Sequence, residues 1–348
     1  MKNLKNIAAL TLSLGMTLSL AACGGGQNPP ADNSAVPTDA APSAATESAA
    51  AGEIKKIGLL QYGQHGSLDN CREGFLQGLE AAGLKEGVDY EVDYQNAGFD
   101  DTMDSQIAKT FSDNGVDLMV GVATPSAVAC YSAAEEKDIP VVYVAVNDPA
   151  AAKLDQGNVT GTSDALPVDE QLKLIRALQP DAKTIGILYT TSEPNSVSTI
   201  AQYEEKAPEY GFTIDAVGVT AQAEVTQAAD TLISHKVDAM SNLTDNNVVG
   251  VLSSILEKTN EAGIPIYGSE IEQVKLGCVA SAGIDYVKLG AQTGAMAAKI
   301  LTGEATCDDI PFEVISEYST YVNKTALEAM GITLPDDIAA KAEDVPQA

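Results

Sequence analysis

Tryptophan is absent from this 348-residue chain, and histidine occurs only twice, at His65 and His235. Basic side chains are also scarce: 20 Lys and Arg stand against 49 Asp and Glu, which gives a net charge of −29. This balance disfavours nucleic acids and anionic membrane surfaces as main partners, because both are negatively charged. Aromatic contacts with any ligand must therefore come from the 12 Tyr and 5 Phe.

Recognisable catalytic and metal-binding patterns are missing as well. The chain has no Gly-x-Ser-x-Gly elbow, Walker loop, Cys-x-x-Cys pair or Cys/His cluster. No recognisable nucleophile accompanies His65, so an exported hydrolase is the weakest alternative. We expect a protein that is not an enzyme and that holds neither a metal nor another cofactor. The cysteines after residue 23 show no disulfide spacing and are expected to be free or buried thiols: Cys71, Cys130, Cys278 and Cys307.

The N-terminal segment is typical of export. Lys2 and Lys5 precede an apolar stretch, and Leu20-Ala21-Ala22-Cys23 resembles the end of a bacterial lipoprotein signal. Residues 1–22 are therefore predicted to be a signal peptide, with Cys23 lipidated. Residues 23–53 are predicted to be a disordered tether, because 18 of the 26 residues at 27–52 are Ala, Pro, Ser or Thr. The expected location is the extracytoplasmic face of the cell membrane.

From Glu53 onward, short apolar runs alternate with longer amphipathic runs, which is typical of βαβ units and parallel sheets. The pattern occurs twice. The predicted strands are 57–61, 90–94, 118–122 and 141–144, then 184–189, 213–219, 239–243 and 264–267. The predicted helices include 68–82, 103–112, 126–136, 168–178, 196–210, 224–234, 246–262 and 287–301. In the last of these, Gly290 and Gly294 share one face and are expected to allow close packing.

Three sequence matches relate the two series. Residues 55–60 resemble 183–188, residues 116–119 resemble 237–240, and residues 139–143 resemble 264–267. The sequence thus predicts an α/β fold of two similar doubly wound lobes joined by a three-strand hinge. We place the first lobe at 54–160 plus 285–315 and the second at 161–284 plus 316–335. A tail follows at 336–348, and the three crossings are expected at 158–164, 280–286 and 316–321.

Open α/β sheets bind ligands beyond the carboxyl ends of their strands, so two facing lobes predict a cleft. Thr124 is a good N-cap after an apolar strand, Pro125 suits the first helical position, and Ser126 adds a hydroxyl. Such a helix start favours a carboxylate or another small anion. The remaining cleft loops supply hydroxyls, amides and a few carboxylates but few Lys or Arg, which disfavours phosphates and sulfates.

Several loop motifs support a family resemblance. The motifs are Gln61…His65…Leu68-Asp69, Ala123-Thr124-Pro125, Asn147-Asp148-Pro149, Asn158-Val159-Thr160-Gly161, Ser192-Glu193…Asn195-Ser196-Val197, Thr244-Asp245-Asn246 and Gly283-Ile284-Asp285-Tyr286. With the lipoprotein signal and paired lobes, they resemble solute-binding lipoproteins of ABC importers, which have the type I periplasmic-binding-protein fold. The resemblance is greatest to the group that includes tryptophan- and aromatic-amino-acid-binding components.

The resemblance implies roles for individual residues. An amino-acid carboxylate would lie on the helix start at Thr124 and Ser126, or on Asn195 and Ser196. The ammonium would need Asp245, Glu270 or Asp285, although Asp285 is equally suited to a hinge or a helix cap. Tyr62 and Tyr189 could sandwich an apolar side chain, and Gln61 and His65 could hydrogen-bond the ligand. Pro125, Asn147, Ser192 and Asn246 complete the expected ligand-binding set.

Some residues depart from the family pattern. Gln64 and Gly66 replace an acid and a proline beside His65, and Glu270 replaces a shorter Asp, so the resemblance does not single out tryptophan as the ligand. We expect a monomeric receptor that closes on a small zwitterion, with an aromatic amino acid the best guess, and delivers it to an ABC permease. A ligand-sensing domain for a signalling partner and a receptor for another small molecule, such as a nucleoside, remain open.

Overall fold

The computed structural model describes residues 53–315 and 317–347. The predicted signal peptide, the Cys23 lipidation site and the tether up to residue 52 lie outside the described residues. The described residues belong to one compact unit. None of the helices found within these two ranges is long and apolar enough to cross a membrane.

The secondary structure alternates between strands and helices along most of the chain. The strands are β1 (Lys55–Gln61), β2 (Tyr90–Asn96), β3 (Leu118–Val122), β4 (Val141–Val144), β5 (Val159–Ser163), β6 (Thr184–Thr190), β7 (Thr213–Val219), β8 (Ala239–Ser241), β9 (Ile266–Tyr267), β10 (Ala280–Gly283), β11 (Glu313–Val314), β12 (Ser319–Val322) and β13 (Glu343–Asp344). The helices are α1 (Gly66–Ala81), α2 (Asp101–Asn114), α3 (Thr124–Ala134), α4 (Val168–Leu178), α5 (Pro194–Lys206), α6 (Gln222–His235), α7 (Asn246–Val249), α8 (Leu252–Ala262), α9 (Ile271–Leu276), α10 (Tyr286–Leu301), α11 (Lys324–Ala329) and α12 (Asp336–Ala339).

The first lobe is built on a six-stranded parallel sheet. Its strands lie in the order β2-β1-β3-β4-β5-β11. Every residue of β3 and β4 is buried, as expected for a parallel sheet covered by helices on both faces. This coverage explains why both strands are almost continuous apolar runs in the sequence.

The second lobe repeats this arrangement. A parallel sheet in the order β7-β6-β8-β9 is continued by a second group, β10-β12-β13. The backbone N–H of Val279 donates to Ile266 at 2.8 Å, and Gly268 bridges to Ser281, so β10 lies beside β9. Both lobes therefore place their strands in the same relative order. The predicted fold class of two similar doubly wound lobes is confirmed.

The chain passes between the lobes three times, but each crossing is shorter than predicted. Strand β5 continues through Ser163 in the first sheet, and β10 and β12 pair with each other in the second. These strands occupy much of the segments expected to be hinges, because β5 pairs with β4 and β11 and because β10 pairs with β12. The connections that remain are β5 to α4, β10 to α10, and β11 to β12.

One other local prediction is wrong, and one short helix is absent from the predicted elements. The predicted helix at 246–262 is divided into α7 and α8, because Val251 departs from helical geometry with ψ 17°. The short helix α9 was not predicted; its N-terminus is capped by the side chain of Glu270, which accepts from Glu272 and Gln273. The predicted free thiols are confirmed: Cys71, Cys130, Cys278 and Cys307 are all unpaired and buried.

Glycines bring α1 and α10 into direct backbone contact. A Cβ on Gly290 would lie 2.2 Å from the carbonyl oxygen of Cys71, and one on Gly294 would lie 2.2 Å from that of Phe75. Gly74 and Gly78 make the reciprocal approaches from α1. The close packing predicted for Gly290 and Gly294 is confirmed, and it fixes α10 to the first lobe.

Substitution of Gly294 by Ala should destabilise the protein. The added methyl group has to displace backbone atoms, so we expect the free energy of unfolding to decrease by about 1–3 kcal/mol, although Ala is the better helix former. Urea denaturation measures the change. Lys299→Ala, on the exposed side of the same helix, should stay within about 0.5 kcal/mol of the parent. Equal stability of Gly294→Ala and the parent would contradict the packing argument.

Candidate ligand-binding site

A cavity lined by apolar and polar side chains of both lobes lies between them. We call it the central cavity. Its lining from the first lobe is His65, Ser67, Leu68, Ala123, Thr124, Ala145 and Asn147, and from the second lobe Asn195, Thr244, Asn246, Val249, Glu270 and Gln273. Asp164, which directly follows β5, and Tyr286, the first residue of α10, complete the lining.

The helix α3 begins at the central cavity. Its first intrahelical bond runs from Ala127 N to Ala123 O at 3.0 Å, so the preceding N–H groups have no acceptor within the helix. Thr124 is not the N-cap, contrary to the prediction: Ala123 holds that position with φ 80° and no side-chain cap, and Pro125 is the second helical residue. The reason is that Ala123 N still bonds to Val144 O at 3.0 Å, which extends the strand to Ala123.

Two residues of the lining have unusual backbone angles. Ala123 has φ 80° and Ala145 has φ 60°, in the left-handed region that favours glycine. Each such residue costs about 1–2 kcal/mol, and this kind of strain is concentrated at binding sites and active sites. The ends of β3 and β4 therefore carry strain at the point where their backbone borders the cavity.

Asp164 presents an unpaired carboxylate oxygen to the central cavity. Tyr286 donates its hydroxyl to Oδ2 at 2.7 Å, whereas Oδ1 is buried without a partner among the described residues. No Lys or Arg lines the cavity. Burial raises the pKa of Asp164 to about 6. The arrangement suits a positively charged group, which would supply both the missing hydrogen bond and the missing counter-charge.

Glu270 is the second carboxylate of the lining. It accepts backbone N–H groups from Glu272 at 2.6 Å and from Gln273 at 2.9 Å, which orients it as the cap of α9. Burial raises the pKa of Glu270 to about 7. The hydroxyl of Ser67, in the first turn of α1, is buried without a partner. Two acids and two helix starts thus border one small volume.

Glu193 organises the opposite side of the cavity. It accepts the side-chain amides of Asn195 at 3.2 Å, Asn246 at 2.8 Å and Asn247 at 3.3 Å. Burial and the neighbouring Asp245 carboxylate raise the pKa of Glu193 to about 8. We refer to Glu193, Asn195 and Asn246 as the amide wall. Its side chains are held by the protein rather than by solvent.

His65 reaches the amide wall from the first lobe. Its Nε2 lies 3.4 Å from Asn246 Oδ1, and its ring stacks on Phe99 with an interplanar angle of 8°. Nδ1 is buried without a partner. Burial lowers the pKa of His65 to about 4, so the imidazole is neutral at pH 7.

Further hydrogen bonds join the lobes around the cavity. Asn70 donates to Glu272 at 2.9 Å, and Ser198 donates to Asp148 at 2.6 Å. Thr199 donates to Asn147 Oδ1 at 3.2 Å. With the His65–Asn246 contact, these bonds hold the two lobes together over the central cavity.

The structure brings part of the predicted ligand-binding set together. His65, Thr124, Asn147, Asn195, Asn246 and Glu270 line the central cavity. The other predicted residues are outside its lining: Gln61, Tyr62, Pro125, Ser126, Tyr189, Ser192, Ser196, Asp245 and Asp285.

Most of the residues outside the lining have other partners. Tyr62 donates to Asp101 at 2.7 Å and Ser126 donates to Asp104. Asp245 accepts from Ser196 at 2.7 Å, and Asp285 caps α10. Gln61 is held by hydrogen bonds with Gly63, Asp69 and Arg72. Tyr189 packs on the core of the second lobe, and Ser192 is exposed.

Sequence reasoning missed Ser67, Asp164, Gln273 and Tyr286 as residues of the lining. Asp164 follows β5, whose pairing within the first sheet was not predicted, so its position at a strand end was not used. Had Asn158–Asp164 been recognised as a strand, the same carboxyl-end rule that selected Asn147 would have selected Asp164.

Comparisons with known proteins agree on one family. The family model described as ABC transporter substrate binding protein matches residues 56–346. A tyrosine-binding protein from Clostridioides difficile strain R20291 is 38% identical over 282 residues, which cover 79% of this chain and 81% of that protein.

Two solved structures are also similar. An ABC domain from Streptococcus pneumonia in complex with L-Trp gives a TM-score of 0.80 at 35% identity and covers 84% of this chain and 99% of that one. The ligand-free, open structure of a substrate-binding protein with adhesive properties from Clostridium difficile gives 0.63 at 37% identity, covering 85% and 100%. At nearly equal coverage, the present structure is thus nearer to the L-Trp complex than to the open form.

The buried carboxyls predict how the stability of the ligand-free protein depends on pH. The pKa values of Asp164, Glu193 and Glu270 are raised to about 6, 8 and 7, above those of the unfolded chain. Their contribution to stability is therefore present in acid and lost as the pH rises towards 8. His65, whose pKa is lowered to about 4, acts oppositely below about pH 6.5. Because the three carboxyls outweigh the one histidine, we expect the melting temperature to fall as the pH rises from about 5 to 8.

Differential scanning calorimetry across this range is the measurement. Glu270→Gln should reduce the difference in melting temperature between pH 8 and pH 5.5, whereas Glu261→Gln, at an exposed position, should leave it unchanged. A profile for Glu270→Gln that follows the parent would show that Glu270 is not a buried acid.

Proposed function

We propose that this chain, which belongs to the family of ABC transporter substrate-binding proteins, captures a zwitterionic amino acid with an aromatic side chain in the central cavity. Its fold is that of the type I periplasmic binding proteins. The observation that carries the choice of ligand is Asp164, a buried carboxylate with one oxygen unpaired and no cation in the lining. In this proposal the ligand ammonium binds Asp164 Oδ1.

Charge supports an ammonium rather than a neutral or anionic group. An ionised carboxylate is costly to bury unless it is paired with a positive charge and hydrogen-bonded. Tyr286 supplies one hydrogen bond to Asp164 but no charge. A nucleoside lacks an ammonium group and would leave this requirement unmet, so an amino acid is favoured over it.

The helix starts provide for the other end of the zwitterion. The unpaired N–H groups of α3 and the positive end of its dipole favour a carboxylate. The unpartnered Ser67 hydroxyl in the first turn of α1 offers a further donor. We place the ligand carboxylate between these two helix starts.

The rest of the lining suits an aromatic side chain. Leu68, Ala145 and Val249 supply apolar surface, and Asn195, Asn246 and His65 supply polar groups. The relatives named for tyrosine and crystallised with L-Trp support the same class of ligand. The similarity to the L-Trp complex supports closure of the lobes around the ligand, with the closed form recognised by the permease.

Substrate-binding proteins of ABC transporters work outside the cytoplasm. We propose that residues 1–22 are removed, that Cys23 carries a lipid and that residues 23–53 tether a monomeric body, with 54–163 plus 285–315 and 164–284 plus 316–335 as its lobes, the first boundary moved to the end of β5. In this proposal the lipid is the only membrane contact, and the protein performs no catalysis. A receptor that reports to a signalling partner has the same body, and copurification with a permease separates the two roles.

Replacing the proposed ammonium ligand tests this function. We expect L-tyrosine or L-tryptophan to bind the parent protein, and Asp164→Asn to weaken that binding by about 30-fold or more, because a buried charge pair is lost. Isothermal titration calorimetry measures the affinity. Asp164→Asn should melt at the same or a higher temperature than the parent without ligand, since it removes an unpaired buried acid, so misfolding would not explain the loss.

Asp285→Asn is the matched control, because Asp285 caps α10 outside the lining and Asn is also a good cap. Its affinity should equal that of the parent. Binding of nucleosides but not amino acids, or full affinity in Asp164→Asn, would contradict the proposal.

A further inference from the structure

The central cavity contains more unpaired acceptors than a zwitterion alone requires. Of the six buried side-chain polar atoms without a partner among residues 53–315 and 317–347, four belong to the lining: His65 Nδ1, Ser67 Oγ, Asp164 Oδ1 and Asn195 Oδ1. The proposed function assigns Asp164 to the ammonium and Ser67 to the carboxylate. His65 and Asn195 are left, and both belong to the side of the cavity that carries the amide wall.

The amide orientations of this wall are fixed by their partners. Glu193 Oε2 accepts the backbone N–H of Asn246 at 3.2 Å and the side-chain Nδ2 of Asn246 at 2.8 Å. Because Oε2 acts as an acceptor, the Asn246 side chain has to turn its Oδ1 the other way, towards His65. This holds for an ionised Glu193 and for a neutral Glu193 that carries its proton on Oε1.

Asn195 is oriented in the same way. Its Nδ2 donates to Glu193 Oε2 at 3.2 Å and to the backbone carbonyl of Thr244 at 3.5 Å. A backbone carbonyl can only accept, so the side-chain nitrogen has to face it. The oxygen of Asn195 is consequently an acceptor, and it is buried without a partner.

The orientation of Asn246 decides the tautomer of His65. Asn246 Oδ1 is an acceptor, so the imidazole nitrogen that faces it at 3.4 Å, Nε2, must carry the proton. In a neutral ring the other nitrogen, Nδ1, is then a bare acceptor. His65 Nδ1 and Asn195 Oδ1 are thus two hydrogen-bond acceptors on the same side of the cavity, and neither is satisfied by the protein.

We propose that the chain of contacts Glu193–Asn246–His65 fixes His65 as an acceptor, so that the receptor selects amino acids whose aromatic side chain carries a hydrogen-bond donor. A phenol O–H or an indole N–H supplies a donor for His65 Nδ1 or Asn195 Oδ1, and a plain phenyl ring does not. The selection rests on the proposed function, because it assumes that the ammonium occupies Asp164. Glu193 and Asn246 act as positioning residues through His65.

The tautomer can be read directly, since the chain has only two histidines, His65 and His235. Two-dimensional 15N NMR of histidine-labelled protein should show the His65 ring protonated at Nε2 and unprotonated at Nδ1 at pH 7, and not as an imidazolium. His235→Gln assigns the signals. In Asn246→Leu the fixed tautomer should be lost. A His65 ring protonated at Nδ1, or a His65 imidazolium at pH 7, would overturn the proposal.

Selection is measured with matched ligand pairs by calorimetry. L-tyrosine against L-phenylalanine and 4-fluoro-L-phenylalanine, and L-tryptophan against 1-methyl-L-tryptophan, differ mainly in the donor. The donor-bearing ligand of at least one pair should bind about tenfold to a hundredfold more tightly, because its absence leaves buried acceptors unpaired.

His65→Phe should reduce that ratio by about tenfold, because it removes the acceptor and keeps a ring to stack on Phe99. His235→Gln should leave both affinities unchanged, because His235 is the last residue of α6 and lies beside Asp215. A merely structural role of His65 would lower the affinities of both ligands equally and would overturn the selection.

The two proposals fail in distinguishable ways. Equal affinities within every pair would overturn the selection alone and leave the amino-acid receptor intact. Absence of binding by every amino acid would overturn the proposed function and the selection together.

Discussion

A carboxylate oxygen that is buried without a partner is the constraint on which this binding site depends. Asp164 is 3% exposed, and the one hydrogen bond that its carboxylate accepts, from Tyr286, brings no positive charge. No lysine or arginine of the lining compensates it. Asp164 directly follows β5 and Tyr286 begins α10, so the pair ties two of the three connections between the lobes. A ligand cation at this point would satisfy the acid and favour the closed arrangement at the same time, since both effects act at the hinge.

The rest of the fold holds this constraint in place. Two sheets of the same strand order direct their carboxyl ends towards one cavity, which brings helix starts and loop amides to it from both sides. Close contact between α1 and α10 fixes the start of α10, and with it Tyr286, to the first lobe. The strained backbone at Ala123 and Ala145 is maintained by this rigid surrounding.

Much of the fold follows from sequence pattern, because it depends on periodicity. The repeated segments at 55–60 and 183–188 predict β1 and β6, and the two lobes follow from them. The site is less predictable, because burial and partners decide it. The strand-end rule selects Asn147 and Asn195, whereas it does not select Asp164 because β5 is polar and lacks an apolar run. Tyr62 follows a strand as well, yet its hydroxyl is taken by Asp101 and the ring does not line the cavity. Spacing cannot distinguish a polar group that faces a ligand from one that is satisfied within the protein.

The most direct measurement is a crystal structure of this protein grown with L-tyrosine. The account predicts one molecule in the central cavity, with its ammonium within hydrogen-bond distance of Asp164 Oδ1, its carboxylate at the start of α3 and its phenol facing His65 Nδ1. A ligand whose carboxylate or ring faces Asp164, or one bound outside the central cavity, would contradict it.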